Sequence, residues 1–391
     1  MTTGFERLAD VLRERAAKSR RRRLTPYQID GVDLVDAAGR RLLNFGSNDY
    51  LGFAWERAST VRPAGGSGSA ASALVCGWSP LHQTLADRLA RFEGTESAVI
   101  FPSGYAACSG TVAALAGPDD LILSDALNHA SLIDGCRLSR AQTIVYPHRD
   151  TDFVGRKLAS MRVDFEQVWI VTDSIFSMDG DLAPLQALVD VAERFESHLL
   201  VDEAHATGVF GDQGSGLCEE LGVKSKIPIR IGTLSKAMGS QGGFVAAPQV
   251  VTDYLINHAR GLIYSTALTS GAVGDALDSL DRIEASDDRR RRVRRYARQV
   301  REELSIPAED PVSAEVPIVP LILHDDERVA RRSAELGGQG FFAPAIRPPT
   351  VPEGTARLRL SLSAAHTDSQ IRSLIDALRM PGGVGFRPEI A

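Results

Sequence analysis

Ile227-Pro-Ile-Arg-Ile-Gly-Thr-Leu-Ser-Lys-Ala-Met-Gly239 is an apolar, strand-like run that ends in a turn of small residues, and the turn carries one lysine, Lys236. An isoleucine-rich run of this length, bounded by Pro and Gly, reads as a buried strand. Upstream, His198-Leu-Leu-Val-Asp-Glu-Ala-His205 is a second apolar run, ending in a carboxylate and an imidazole. Two strand ends would then present Lys236, Asp202 and His205 together. Working outward, short apolar runs at 98–101, 121–123, 143–146, 168–172, 199–201, 229–231 and 243–247 alternate with helical stretches. That alternation predicts an α/β fold with a mostly parallel, helix-covered central sheet and ligands at the strand ends.

The flanks read differently. Phe5, Leu8, Leu12 and Ala16 have helical spacing, the basic run 20–23 follows, and Asp30-Gly31 and Ala38-Gly39 predict hairpin turns. The charge-dense stretch 287–298 reads as a helix with a solvated face that leads into a smaller α+β domain. Strands are expected there at 316–323, 340–342 and 356–362, with helices near 326–337 and 367–379. The expected organisation is an N-terminal arm (1–47), a large ligand-binding domain (48–284) and a small C-terminal domain (285–391).

An apolar fraction of 43%, a charged fraction of 24% and a net charge of −6 argue against a disordered chain and against a nucleic-acid binder. No apolar run reaches the roughly 18 residues of a membrane span, and the Arg-rich start lacks the apolar core of a signal peptide, so a cytoplasmic protein without a membrane partner is expected. Cys76, Cys108, Cys136 and Cys218 include no Cys-x-x-Cys pair and read as small buried apolar residues, not bridges or zinc ligands. Residues 66–71, Gly-Ser-Gly-Ser-Ala-Ala, spell a dinucleotide fingerprint, but no buried strand precedes them. Asp202-Glu-Ala-His205 spells a helicase box, yet the chain has no Gly-Lys dipeptide and hence no nucleotide phosphate loop. A metal at Asp202 and His205 lacks further ligands nearby, so none is expected.

Four chemical tasks do find candidates. A Schiff-base lysine needs an amine that can be neutral near pH 7, and Lys236 is placed for it. A carboxylate that keeps a pyridine nitrogen protonated makes the ring an electron sink, and Asp202 at a strand end suits this. A flat group to cover the ring is offered by His129 in Asp125-Ala-Leu-Asn-His-Ala-Ser131. Anion binding is offered by Pro102-Ser-Gly-Tyr105, which opens a small-residue helix and aims the amides of Gly104 and Tyr105 outward, with Thr233 adding a hydroxyl. Each residue alone has a plainer reading: a surface lysine, an N-capping aspartate, a structural histidine. Their order along successive strand ends points to pyridoxal 5'-phosphate.

Beyond these residues, Asn48-Asp-Tyr-Leu-Gly52, Phe176-Ser-Met-Asp-Gly-Asp181, Asp202-Glu-Ala-His-Ala-Thr-Gly208, Leu262-Ile-Tyr-Ser-Thr266 and Ala345-Ile-Arg-Pro-Pro-Thr-Val-Pro-Glu-Gly-Thr-Ala-Arg-Leu-Arg-Leu360 are the motifs by which the chain resembles the α-oxoamine synthases, nearly end to end. The resemblance implies the aminotransferase-like fold type I and a homodimer with active sites at its interface. It implies an acyltransferase that condenses an amino acid with an acyl thioester and releases CO2. The branch it resembles most joins L-alanine to pimeloyl-CoA, or to a pimeloyl carrier-protein thioester, in biotin biosynthesis; the alternative is a member that uses another acyl-CoA or glycine, like 2-amino-3-ketobutyrate CoA ligase. Carried over residue by residue, Lys236 would hold the cofactor and act as the α-proton base, and Asp202 would pair with the pyridine nitrogen. His205 and Ser177 would contact the 3-hydroxyl side, and His129 would stack on the ring beside the substrate. The Gly104 and Tyr105 amides and Thr233 would take the phosphate. Arg347 would hold the amino-acid carboxylate, and Asn48, Thr350 and Arg21 would line the substrate site. The chain departs from the family where Gly68-Ser-Ala-Ala-Ser-Ala-Leu74 replaces a glycine-rich loop ending in histidine, near the expected thioester entrance, and where Asp173-Ser174 stands for Glu-Gly.

Overall fold

A computed structural model of the chain describes residues 4–56 and 68–379. Residues 66 and 67 of the dinucleotide-like spelling lie outside the described residues. The chain forms two compact units, one of Leu51–Ser177 and Asp181–Arg291, the other of Met1–Tyr50, Met178–Gly180 and Arg292–Ala391.

The second of these units carries strands β1 (Gln28–Asp30), β2 (Asp33–Val35) and β3 (Arg41–Asn44), turned by Gly31 and Gly39 at positive φ. The first carries β4 (Ser97–Phe101), β5 (Leu121–Asp125), β6 (Gln142–Tyr146), β7 (Val168–Asp173), β8 (His198–Asp202), β9 (Ile229–Thr233) and β10 (Gly243–Ala247). These seven make one sheet in the order β4-β10-β9-β8-β7-β5-β6. β10 runs antiparallel to both its neighbours, and the remaining pairings are parallel. The mostly parallel α/β sheet read from the sequence is therefore present. Every residue of β7 is buried, as expected of a strand covered on both faces.

The helix Gly104–Leu115 packs its small residues into the core: Ala107, Cys108 and Val112 join Phe101, Val171, Leu200 and Ile231 in one buried cluster. Its crossing with the helix Ala130–Leu138 is close, because a Cβ on Gly135 would lie 2.9 Å from the Val112 Cβ. Side chains such as Leu200 and Ile231, each 1% exposed, contribute about 1.5–3 kcal/mol apiece by burial. The parallel register has a direct consequence for the site. Asp125, Asp173, Asp202 and Thr233 are each the last residue of their strands, and Asp173 pairs with Asp202 across the sheet.

In the other unit β12 (Phe341–Phe342) runs parallel to β3, and β11 (Ile318–His324), β14 (Ala356–Ser361) and β13 (Ala345–Ile346) form an antiparallel sheet. Helices Glu6–Ala17, Asp326–Gly338 and Asp368–Arg379 complete it. The helix Asp287–Glu303 has the solvated face read from the sequence, with Asp287, Arg291, Arg295 and Arg298 exposed along it, while its opposite side buries Arg290, which donates to the Ile283 and Asp212 carbonyls at 2.5 and 2.7 Å. Farther along it, Arg301 donates to the carbonyls of Val316 and Ile318, and burial lowers its pKa to about 10. One expectation is corrected: Cys76 is exposed in a π-helical turn, Ala73–Gly77, whereas the other three cysteines are buried as read.

Candidate active site

The C-terminal strand ends of the first unit surround a cavity of about 210 Å³. Its lining includes Gly104, Tyr105, His129, Asp202, His205, Thr233 and Lys236, seven residues singled out from the sequence. A larger groove of about 820 Å³ in the same unit is lined by Leu74, Trp78, Ile256 and Leu262 among others and carries no lysine or histidine. The convergence of titratable groups, not size, marks the candidate site.

Lys236 is positioned by the turn that follows β9. Leu234 N–H donates to the Gly242 carbonyl at 3.0 Å, and Gly239 N–H to the Lys236 carbonyl at 2.8 Å. Gly239 has φ +59°, and a Cβ there would sit 2.5 Å from the Ala54 nitrogen, so the tight turn requires glycine. Gly208 allows Ala237 to approach in the same way, at 2.5 Å from where its own Cβ would be. The lysine turn is thus wedged against the loop that follows Asp202.

Asp202 is 5% exposed. Its Oδ1 accepts from the Ala204 N–H at 2.8 Å, and its Oδ2 lies 3.1 Å from the Cys108 sulfur. Its neighbour Glu203 faces away and accepts from the amides of Leu217 and Cys218 at 3.0 and 2.7 Å, a structural task. On the adjacent strand end Asp173 is buried and accepts the His129 N–H at 2.6 Å. Burial, reinforced by the Asp202 charge, pushes the Asp173 carboxyl well above the usual carboxylate range.

His129 caps the helix Ala130–Leu138, with Nδ1 2.7 Å from the Ser131 hydroxyl. By area the residue is open to the cavity, yet protein surrounds enough of the ring for burial to lower its pKa; the Asp202 charge opposes this and Lys236 assists it. The ring thus offers a flat face to the cavity, with its pKa held below the usual imidazole value. Tyr105 approaches it edge-on, with centroids 6.4 Å apart, and donates its hydroxyl to Asp134.

Ser103 caps the helix Gly104–Leu115 through the Ala106 N–H at 3.1 Å, leaving the first amides directed outward. A Cβ on Gly104 would lie 3.0 Å from the Thr233 hydroxyl, so the glycine keeps space open between helix end and strand end. Thr233 is fixed by bonds to the Gly242 carbonyl at 3.0 Å and the Ser235 hydroxyl at 2.8 Å.

Ser177 lies in the loop after β7, outside the cavity lining. The loop returns through Asp181, which His148 ties to Asp125: Nδ1 is 2.9 Å from Asp125 and Nε2 is 2.7 Å from Asp181, with Phe176 edge-on against the ring at 4.4 Å. Burial pulls the His148 pKa down, but the two carboxylates outweigh it and raise it to about 9.

Asn48, Arg347, Thr350 and Arg21 belong to the other unit. There the Arg347 guanidinium donates to the Ser19 carbonyl, and Thr350 accepts from Arg22 at 2.6 Å. Arg20 pairs with Asp326 and Glu353, while Arg21 is exposed. Asn48 accepts from Arg359 at 3.1 Å.

Sequence reasoning missed Cys108, Ser131 and Ser235 as cavity residues, whereas Asp173, read from the family resemblance as lying beside the ring, does line the cavity. Asp173 had a legible signal, since it ends an apolar run as Asp202 does; Cys108 had none, being one small residue in a helix of small residues.

Residues 40–378 match the family model "Aminotransferase class I and II". The 8-amino-7-oxononanoate synthase of Geobacter sulfurreducens is 44% identical over 89% of this chain and 90% of its own, and that of Lysinibacillus sphaericus 38% identical over 98% of both. A solved serine palmitoyltransferase from S. paucimobilis with bound PLP superposes with a TM-score of 0.87 at 26% identity, over 97% of each chain. The chain belongs to the class I and II aminotransferase family, within the branch whose curated members are the 8-amino-7-oxononanoate synthases.

Proposed function

We propose that the chain is a pyridoxal phosphate-dependent 8-amino-7-oxononanoate synthase, an acyltransferase that condenses L-alanine with pimeloyl-CoA or a pimeloyl carrier-protein thioester. In the net reaction a C–C bond forms between the alanine Cα and the thioester carbonyl carbon, and the C–S bond breaks to release the thiol. The alanine carboxyl departs as CO2 and a proton takes its place. The observation that carries the reading is one cavity lined by Lys236, Asp202, His129 and the helix end at Gly104.

These residues fit the cofactor. The open space at Gly104, the outward amides and the Thr233 hydroxyl suit a phosphate, and the buried Asp202 suits a pyridine N–H. When bound, pyridoxal phosphate supplies an electron sink that stabilises negative charge at the amino-acid Cα and at the same carbon after CO2 leaves. Lys236 Nζ would hold the cofactor aldehyde carbon and take the proton from the alanine Cα. The His129 ring would cover the cofactor face, and His205 and Ser177 would serve its 3-hydroxyl side. Arg347 would clamp the alanine carboxylate with its planar fork, and Asn48, Thr350 and Arg21 would line the substrate site. The exposed apolar side chains Leu74, Val75 and Tyr264 support a homodimer in which a second copy covers them. No helix among the described residues is long and apolar enough to cross a membrane, in keeping with a cytoplasmic enzyme.

The test is to incubate the purified protein with L-alanine, pimeloyl-CoA and pyridoxal phosphate and to look by mass spectrometry for the nine-carbon amino ketone. Faster turnover of glycine with another acyl-CoA would reassign the substrates within the same branch.

A further inference from the structure

We propose that Cys108 is a positioning residue for this reaction: its thiol donates a hydrogen bond to Asp202 and holds that carboxylate in the orientation that meets the cofactor's pyridine nitrogen. The inference rests on Asp202 being the pyridine partner. Cys108 Sγ lies 3.1 Å from Asp202 Oδ2, while Oδ1 is held by the Ala204 amide at 2.8 Å. Both oxygens therefore have donors, and rotating the carboxylate forfeits one of them. Cys108 sits one turn into the helix Gly104–Leu115, whose first amides form the anion site, so one rigid element sets both the phosphate end and the acid.

Cys108 is 2% exposed and belongs to the buried cluster that includes Ala107, Val112, Phe101 and Leu200. Asp202 is 5% exposed, so loss of the thiol leaves its second oxygen poorly solvated, and an unmet buried carboxylate oxygen is costly. Burial pushes the thiol pKa well up, and the Asp202 charge pushes it the same way, so the sulfur keeps its proton and acts as donor. A thiol is a weak donor.

The hydrogen bond is read first in the cofactor-free protein. The infrared S–H band of Cys108, isolated as the difference between wild type and Cys108→Ala, should lie below that of an unbonded thiol. Asp202→Ala should move it up, and a band that Asp202→Ala leaves unmoved overturns the proposal. In the holoenzyme, Cys108→Ala should weaken pyridoxal phosphate about three- to tenfold and lower kcat with the alanine KM unchanged, and Cys108→Ser should restore most of both. A Cys108→Ala protein with a lower melting temperature but native cofactor affinity also overturns it. If Cys108→Ala does not fold, Cys108→Ser supplies the difference spectrum. Absence of cofactor binding to wild type would sink the functional reading, while the infrared result would still decide the hydrogen bond.

Discussion

His148 makes a pH-dependent prediction whose size follows from the structure. It bridges Asp125 at the end of β5 to Asp181 in the loop that carries Phe176 and Ser177, and its side chain is 25% exposed. Other charges facing it are few: Arg149 reaches Asp181 at 3.5 Å, and the Phe176 ring closes one side. The folded-state pKa, about 9, is above the ordinary 6.5. A group raised in this way stabilises the fold fully below about pH 6.5, and the contribution is lost as pH rises through about 9. The gap corresponds to about 3 kcal/mol as an upper bound, since one pH unit is about 1.4 kcal/mol and solvent at the exposed edge reduces it. The perturbation is His148→Gln, which keeps hydrogen bonding but cannot carry the charge. Because the chain has two units, the readout is the difference in urea midpoint between the two proteins and not one extrapolated free energy. That difference should be largest below about pH 6.5 and shrink progressively from there to about pH 9. Parallel pH dependence of the two proteins across this range would refute the ionic brace.

Three further outcomes are expected. Gly104→Ala should weaken pyridoxal phosphate about five- to tenfold in a fluorescence titration, because its Cβ would displace the Thr233 hydroxyl from about one hydrogen bond's worth of order, ~1 kcal/mol. Lys236→Ala should abolish amino-ketone formation in the alanine assay while leaving the melting temperature of the cofactor-free protein within a few degrees of wild type. Arg347→Lys should raise the alanine KM about tenfold, since an ammonium cannot make a bidentate carboxylate clamp; a lower melting temperature with an unchanged KM would mean a purely structural arginine.

The strands of the large sheet were legible because buried parallel strands are written as continuous apolar runs, and the acids that end β7 and β8 stand out at the close of such runs. Strand order was not. Nothing local says that β10 inserts antiparallel between β4 and β9, because that pairing joins segments far apart in the sequence. The two-residue strands β12 and β13 are similarly hard to read, being too short to show alternation, and β13 escaped notice. The buried Arg290 and Arg301 escaped because composition suggests solvent, whereas backbone carbonyls at the helix flank satisfy both guanidinium groups. At the site, Lys236, Asp202 and His129 could be picked out by their chemistry. Cys108 and Ser131 acquire meaning only from what they face.

Lys236 lines the cavity at the strand ends and would hold the cofactor there. Reducing the protein with borohydride in the presence of pyridoxal phosphate, digesting it and mapping the pyridoxyl mass tests this directly. The expected result is one modified peptide, labelled at Lys236, together with loss of the visible absorbance band. A label on another lysine, or no stable label at all, would contradict it.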